Sequence, residues 1–230
     1  MTLQQSLALE PPVGAAGWPG LQLLDPRTLR GLASLNEAFL RLVFEAQLRQ
    51  PGQAVFGLES GLLPPPTPGP RAATVLADLP CALFDLRFRD GRFWQQAAAH
   101  GSAVADGQRP AAVEPALAAL TRSALAFAWH LAQARERAAR LLLGMEAATV
   151  GVLAEMPVGQ VDGLAQAMAS QLQARFASRP SFWGAIRDCL RIPSDAVRRA
   201  RLRRLALQLQ GADSAREQQL QRRVRLQAQA

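Results

Sequence analysis

The arginines are the residues of this sequence best suited to binding chemistry. The chain has 230 residues, and its 26 basic residues are all arginine. Residues 187–230 hold eleven of them against four acids, which gives this region +7 of the net charge of +8. Its apolar spacing predicts a helix, on which guanidinium groups could contact either nucleic-acid phosphates or the acids of a partner protein. The candidate binding residues are Arg198, Arg199, Arg201, Arg203 and Arg204.

Few residues could support catalysis or bind a metal. The two histidines, His100 and His130, and the two cysteines, Cys81 and Cys189, are far apart, and there is no CxxC pair. Zinc sites need closely spaced ligands. No nucleophile–base pair, carboxylate pair or phosphate-binding loop is visible. We therefore predict a protein that is not an enzyme and binds no cofactor or metal.

The composition is that of a globular protein. Hydrophobic residues make up 49% of the chain and charged residues 19%, which excludes wholesale disorder. No uncharged apolar run approaches the ~18 residues that a membrane span needs. The first residues have no basic region of the kind that begins a signal peptide. We expect a cytoplasmic protein with no membrane contact.

Apolar residues recur at helical spacing along most of the chain, so the predicted fold class is all-α. A heptad stripe over residues 117–142 predicts one long amphipathic helix that ends at Gly144. Residues 83–88 suggest one short strand. We expect four residues of the stripe to pack against a similar stripe at residues 32–46 or against a second chain: Leu120, Phe127, Leu131 and Leu141.

The two halves of the chain share a sequence pattern. It consists of a Leu-Ala pair, nine further residues, an Arg-Phe pair and then a Phe-Trp pair. It occurs at Leu76-Ala77, Arg87-Phe88 and Phe93-Trp94, and again at Leu164-Ala165, Arg175-Phe176 and Phe182-Trp183. A shift of 87 to 89 residues also aligns the two stripes, with Phe56-Gly57 and Leu143-Gly144 at equivalent helix ends. The pattern predicts an internal duplication of about 88 residues.

The second half resembles a known family. Its pattern is a helix ending in Leu-Gly, a Leu-Ala pair, a Gln followed by an apolar residue, a second Leu-Ala pair and an Arg-Phe pair. Residues 144–176 thereby resemble the conserved region of the FlhD family, the flagellar transcriptional regulator subunit. The first half is a degenerate copy, because residues 62–70 are too rich in proline to form a helix interior. The matching pairs are Leu143-Gly144, Leu153-Ala154, Gln160-Val161, Leu164-Ala165 and Arg175-Phe176.

The resemblance implies a function. FlhD-like proteins activate transcription by joining a zinc-bearing FlhC subunit and binding promoter DNA, so an FlhC-like partner and promoter DNA are the expected partners. A tandem chain could form a homo-oligomer or an internal pseudo-dimer. The alternative is a cytosolic assembly or adaptor protein of a flagellar or type III secretion apparatus. Fold analogy alone does not decide between them.

A second DNA-binding element is conceivable at residues 146–170. With Pro157 at the turn, this segment could form a helix-turn-helix that presents Gln160 to bases. A helix pair that packs on the protein is favoured, because the second helix has no arginine and Asp162 would repel phosphate. The predicted organisation is an irregular leader (1–30), a degenerate FlhD-like repeat (31–100), a linker (101–111), an FlhD-like repeat (112–186) and an arginine-rich helical tail (187–230).

Overall fold

The structure, a computed structural model, describes residues 25–63, 75–76, 79–100 and 114–228. These residues are mostly helical, so the all-α fold class is confirmed. The helices are α1 (Pro26–Arg49), α2 (Gly91–His100), α3 (Pro115–Ala134), α4 (Glu136–Ala138), α5 (Ala147–Glu155), α6 (Val158–Met168), α7 (Pro180–Arg191) and α8 (Ala196–Ala228). The strands are β1 (Phe84–Asp85) and β2 (Gln173–Ala174).

Helices α1 and α3 run antiparallel. At one end Arg49 pairs with Glu114 at 2.6 Å, and at the other end Arg135 lies 3.8 Å from Asp25. Because Asp25 caps α1, residues 26–30 are already helical, which differs from the irregular leader expected for residues 1–30. Residues 1–24 of that leader lie outside the described residues.

Helix α3 does not continue to Gly144, so the prediction of a single helix over residues 117–142 is wrong. The helix ends at Ala134, since Arg135 takes φ −152° and ψ 65°. The short helix α4 and a π-helical turn (Ala139–Leu143) follow. Gly144 then ends that turn with φ 71°, a left-handed conformation that suits glycine.

The heptad stripe is buried only in part. Leu120 and Leu131 are buried, whereas Phe127 and Leu141 are half-buried. Helix α3 packs against α1 on one side and against α5 and α6 on the other, so its buried face is wider than a heptad seam. Phe127 lies at the edge of the contact between α3 and α1, which is why it is only half-buried. Leu141 lies beyond the end of α3.

The two strands join the halves of the chain. β1 pairs antiparallel with β2, and Asp85 lies opposite Gln173. Residues 83–88 therefore contain the short strand that their sequence suggests. The buried side chain of Asn36 holds the start of this segment to α1, because it donates to the carbonyl of Cys81 at 2.9 Å and accepts from the amide of Leu83 at 2.8 Å.

The segments after the two strands share local features. Trp94 and Trp183 are the fourth residues of α2 and α7, and both are fully buried. Their indole N–H groups donate to the carbonyls of Arg87 and Arg175, at 3.0 and 3.1 Å. Upstream the halves differ, because α1 ends at Arg49, well before Gly57. The expectation of equivalent helix ends at Gly57 and Gly144 is wrong, and the duplication stays a prediction.

The tail is continuous with the rest of the fold. The proposed boundary at residues 186 and 187 falls inside α7, and α7 packs against α8. The linker at residues 101–111 lies outside the described residues. The first residues of the proposed tail thus complete a helix whose other residues belong to the core.

Replacing Asp90 with alanine should lower the free energy of unfolding by about 1 kcal/mol, as is typical for the loss of a helix cap. The carboxylate precedes α2 and accepts from the Phe93 amide at 3.0 Å and from Arg87 at 2.5 Å. These bonds lower the pKa of Asp90 below its ordinary 3.8. The hydrogen bonds to the ionised Asp90 carboxylate stabilise the fold at pH values above the pKa that this group has in the unfolded chain. This stabilisation is lost as the pH falls through the lower pKa that the group has in the folded chain.

Urea denaturation at neutral pH and at successively lower pH measures this effect. The difference between the wild type and Asp90→Ala should be full at neutral pH and should shrink as the pH falls below about 4. A difference that stays constant over that range would contradict the capping role.

Candidate nucleic-acid interface

Helix α8 carries the arginine-rich segment, and it begins at a capped residue. Asp195 accepts from the Arg198 amide at 3.0 Å and from the Arg198 side chain at 2.8 Å. The amide hydrogen bond is the main reason that the pKa of Asp195 is lowered. The helix runs 33 residues, or about 50 Å.

The first part of α8 packs through apolar residues. Leu202 and Ala206 are buried against the helical body, by which we mean the described residues up to Arg191. The spacing of four residues places both on one side of the helix. Their spacing agrees with the helix that the apolar residues of this region predict, and one turn later the same side continues with a polar residue, Gln210.

Gln210 fastens α8 to both halves of the chain. Its side chain is buried and donates to the carbonyl of Pro80 at 2.7 Å and to that of Leu141 at 2.9 Å. A buried carbonyl without a donor is costly, so an amide group that donates to two carbonyls stabilises this position of α8. Gln210 is therefore a structural residue, although its residue type suggests a solvent-facing position.

The two acidic residues of α8 face the helical body. Asp213 accepts from Arg89 at 2.6 Å and lies 3.9 Å from the buried Arg175. Glu217 pairs with Arg140 at 3.2 Å and also accepts from the amide of Ala147. Because both acids are used against arginines of the body, the negative charge of α8 is neutralised on its inner side.

The five candidate arginines fall into two groups. Arg198 pairs with Asp195, and Arg199 is half-buried and donates to the carbonyl of Pro193. The other three are exposed and make no salt bridge with any described residue: Arg201, Arg203 and Arg204. Of the five candidates, these three therefore have guanidinium groups that no acid of the described residues engages.

Sequence reasoning missed a further exposed arginine of the same helix. At 100° per residue, Arg222 lies on the side of α8 opposite Ala206, as Arg201 and Arg204 do. It is exposed and likewise has no salt bridge to a described residue. Continuing the helical period past Gly211 would have found it. We call Arg201, Arg204 and Arg222 the arginine face; it extends about 30 Å along the helix.

The helix-turn-helix candidate at residues 146–170 is less available for DNA binding than α8. Helices α5 and α6 flank Pro157 as expected, but both pack against α3. The side chain of Gln160 donates to the carbonyl of Ala98 at 2.9 Å, and Asp162 lies 3.8 Å from Arg122 at the surface. The helix pair therefore uses its candidate base-reading glutamine within the fold.

Two further reactive side chains, Cys81 and Arg175, are buried in the body. Burial raises the pKa of the Cys81 thiol to about 11, so it is protonated at neutral pH. Burial also lowers the pKa of Arg175, whose guanidinium donates to the carbonyl of Leu142 at 2.9 Å and lies over the ring of Phe176. Among the described residues, no group of three or more His, Cys, Asp or Glu side chains could hold a metal ion.

Comparison with known proteins adds no relative. No protein-family model, curated protein or solved structure matches the chain. Within the described ranges, no helix combines the length and the apolar character needed to cross a membrane.

Proposed function

We propose that the chain is a non-enzymatic, cytosolic regulator of the FlhD kind that contacts DNA phosphates through the arginine face of α8. The observation that carries the proposal is the separation of charge on this helix. Asp213 and Glu217 point inward and are paired with arginines, whereas the arginines of the outward side make no salt bridge with a residue that the structure describes. The charged residues on the outward side of α8 are thus all basic.

This charge arrangement suits phosphate contacts. Each guanidinium placed near the DNA backbone releases condensed counterions, which favours binding without sequence preference. Arginine also forms two parallel hydrogen bonds to phosphate oxygens. Three such groups along about 30 Å could follow the backbone for several phosphates. Contacts of this kind position a protein on DNA, but they do not distinguish one DNA sequence from another.

Recognition of a specific DNA sequence would come from a partner. Residues 1–186 carry a net charge of only +1, so they add little long-range attraction for DNA. The FlhD resemblance makes a zinc-bearing FlhC-like subunit the partner that we propose, with promoter DNA of a flagellar or related regulon as the target. Binding should therefore be weak for the chain alone and stronger in the complex.

The test is a binding titration with fluorescent duplex DNA, with and without the FlhC-like protein. Replacing the arginine face with glutamine (Arg201→Gln, Arg204→Gln, Arg222→Gln) should remove most of the affinity. The control variant removes the same charge from exposed arginines of the body that make no salt bridge with described residues, namely Arg30→Gln, Arg137→Gln and Arg179→Gln. It should keep most of the affinity.

Two outcomes would contradict the proposal. If both variants lose affinity equally, net charge and not α8 governs binding. If no mixture binds DNA, the regulator proposal fails. In that case pull-down of secretion-apparatus components that depends on Arg201 and Arg204 would support the adaptor function instead.

A further inference from the structure

An apolar groove lies between α1 and α3 on the surface of the body. It has a volume of about 620 Å³. Leu35, Leu42 and Leu120 line its floor, and the half-buried ring of Phe127 closes the end next to Gly31. Small side chains from both helices line its walls: Gly31, Ser34, Ala38, Ala116, Ala119 and Ser123. A contiguous apolar surface of this kind is typical of a place that another segment covers.

The described part of the chain leaves this groove open. All residues that line it belong to α1 and α3, and three of the wall residues of α3 are exposed: Ala116, Ala119 and Ser123. Its charged lining residues are one of each sign, Arg41 and Glu45. The groove therefore suits an apolar segment that carries little charge.

The sequence that precedes Asp25 has this character. Of residues 1–24, which we call the N-terminal segment, nine are large and apolar and only Glu10 is charged. Apolar side chains in such a number favour a place away from water. The nine are Met1, Leu3, Leu7, Leu9, Val13, Trp18, Leu21, Leu23 and Leu24.

The N-terminal segment also joins the body close to the groove. It ends at Asp25, which caps α1, and Gly31 at the near end of the groove follows about 9 Å along the helix. Glu45, at the far end, lies about 21 Å further on. A chain of 24 residues spans about 36 Å as a helix and about 80 Å when extended. It is therefore long enough to cover the whole groove in either conformation.

Two other segments outside the described residues match the groove less well. Residues 64–74 include five prolines and no large apolar side chain. Residues 101–113 include two valines, together with the charged Asp106 and Arg109. The N-terminal segment is thus the best match to the groove in apolar content and in charge.

We propose that the N-terminal segment fills the groove between α1 and α3 of its own chain. In this arrangement its apolar side chains cover Leu35 and Leu42 and complete the burial of Phe127. No residue of α8 lines the groove, so this contact is independent of DNA binding by the arginine face.

Hydrogen exchange of the full chain, followed by mass spectrometry, tests the contact. Amides within residues 1–24 should exchange at least roughly tenfold more slowly than those of an unstructured peptide. Ala119→Arg puts a long charged side chain into the groove at an exposed position, and this protection should be lost. Ala99→Arg makes the same change at an exposed alanine of α2 outside the groove and should keep it.

Three results would overturn the proposal, once circular dichroism has shown that the variants keep their helices. The first is fast exchange throughout residues 1–24 of the wild type. The second is protection that survives in Ala119→Arg. The third is an equal loss of protection in Ala119→Arg and Ala99→Arg, which would show that the groove is not the place of contact.

Photo-cross-linking identifies the occupant directly. A benzophenone maleimide is attached to Ser34→Cys, an exposed position in the wall, while the buried Cys81 and Cys189 should not react. The cross-links should reach residues 1–24 of the same chain, which a mixture of unlabelled and isotope-labelled chains can show. The same group on Ala99→Cys should not reach that segment. Cross-links from Ser34→Cys to a second chain, to residues 64–74 or to residues 101–113 would assign the groove to another occupant and contradict the proposal.

Discussion

Replacing Trp183 with alanine should lower the free energy of unfolding by about 3–5 kcal/mol, and replacing Trp94 should have a similar effect. Each indole is fully buried and donates to the arginine carbonyl that precedes its helix. Both variants therefore leave a large cavity. Trp183→Ala also removes the indole donor of the Arg175 carbonyl, whereas the Arg87 carbonyl still accepts from the amide of Asp90 at 2.9 Å. Chemical denaturation with urea measures the loss.

The matched control is Trp129, whose indole also donates to a carbonyl, that of Met156, at 2.8 Å. This residue is only half-buried, so Trp129→Ala should cost distinctly less. A loss below about 1 kcal/mol for either Trp94→Ala or Trp183→Ala would show that the two sites are not the anchors of their helices.

The second large effect is expected at Gly144. A Cβ atom there would clash with Nη2 of the buried Arg175, and the residue has φ 71°. Gly144→Ala combines the cost of a left-handed conformation, about 1–2 kcal/mol, with displacement of a guanidinium that is hydrogen-bonded to Leu142. We expect a total loss of about 3 kcal/mol or more, measured by urea denaturation.

Gly61 provides the control for the backbone term. It has φ 77°, and nothing lies within 4 Å of the Cβ that alanine would add. Gly61→Ala should therefore show the backbone cost alone. In an Arg175→Ala background, the additional cost at Gly144 should disappear, which a double-mutant cycle can measure. An additional cost that persists without Arg175 would refute the steric explanation.

The sequence predicts the helical elements well where one apolar side repeats over several turns. The stripe of α8 through Leu202 and Ala206 and the stripe of α3 through Leu120 and Leu131 both lie on buried sides. Burial of such a stripe is the main reason that an amphipathic segment folds as a helix, so local spacing is sufficient to find it.

The break at Arg135 could not be predicted in the same way. No proline or glycine lies between Ala134 and Leu143, and the heptad spacing continues through the interruption. After the break, residues 139–143 lead to Gly144, and the carbonyl of Leu142 accepts from Arg175, more than thirty residues further along the chain. Tertiary contacts of this range leave no local pattern.

The polar inner side of α8 was missed for a related reason. Gln210, Asp213 and Glu217 have the residue types of a solvated surface, and their partners lie 69 to 130 residues away in sequence for Gln210 and 124 for Asp213. The sequence shows that the region is basic, but only the fold shows which charges are neutralised. That distinction separates the available Arg201 and Arg204 from the engaged Arg198 and Arg199.

The salt dependence of DNA binding tests the central claim most directly. Binding of the wild type and of the triple glutamine variant of the arginine face is measured over a series of salt concentrations, in the presence of the FlhC-like protein. The slope of log K against log salt should be shallower in the variant by about 0.9 for each lost phosphate contact, or about 2.7 in all. Equal slopes for the two proteins would show that the arginine face of α8 does not touch phosphate.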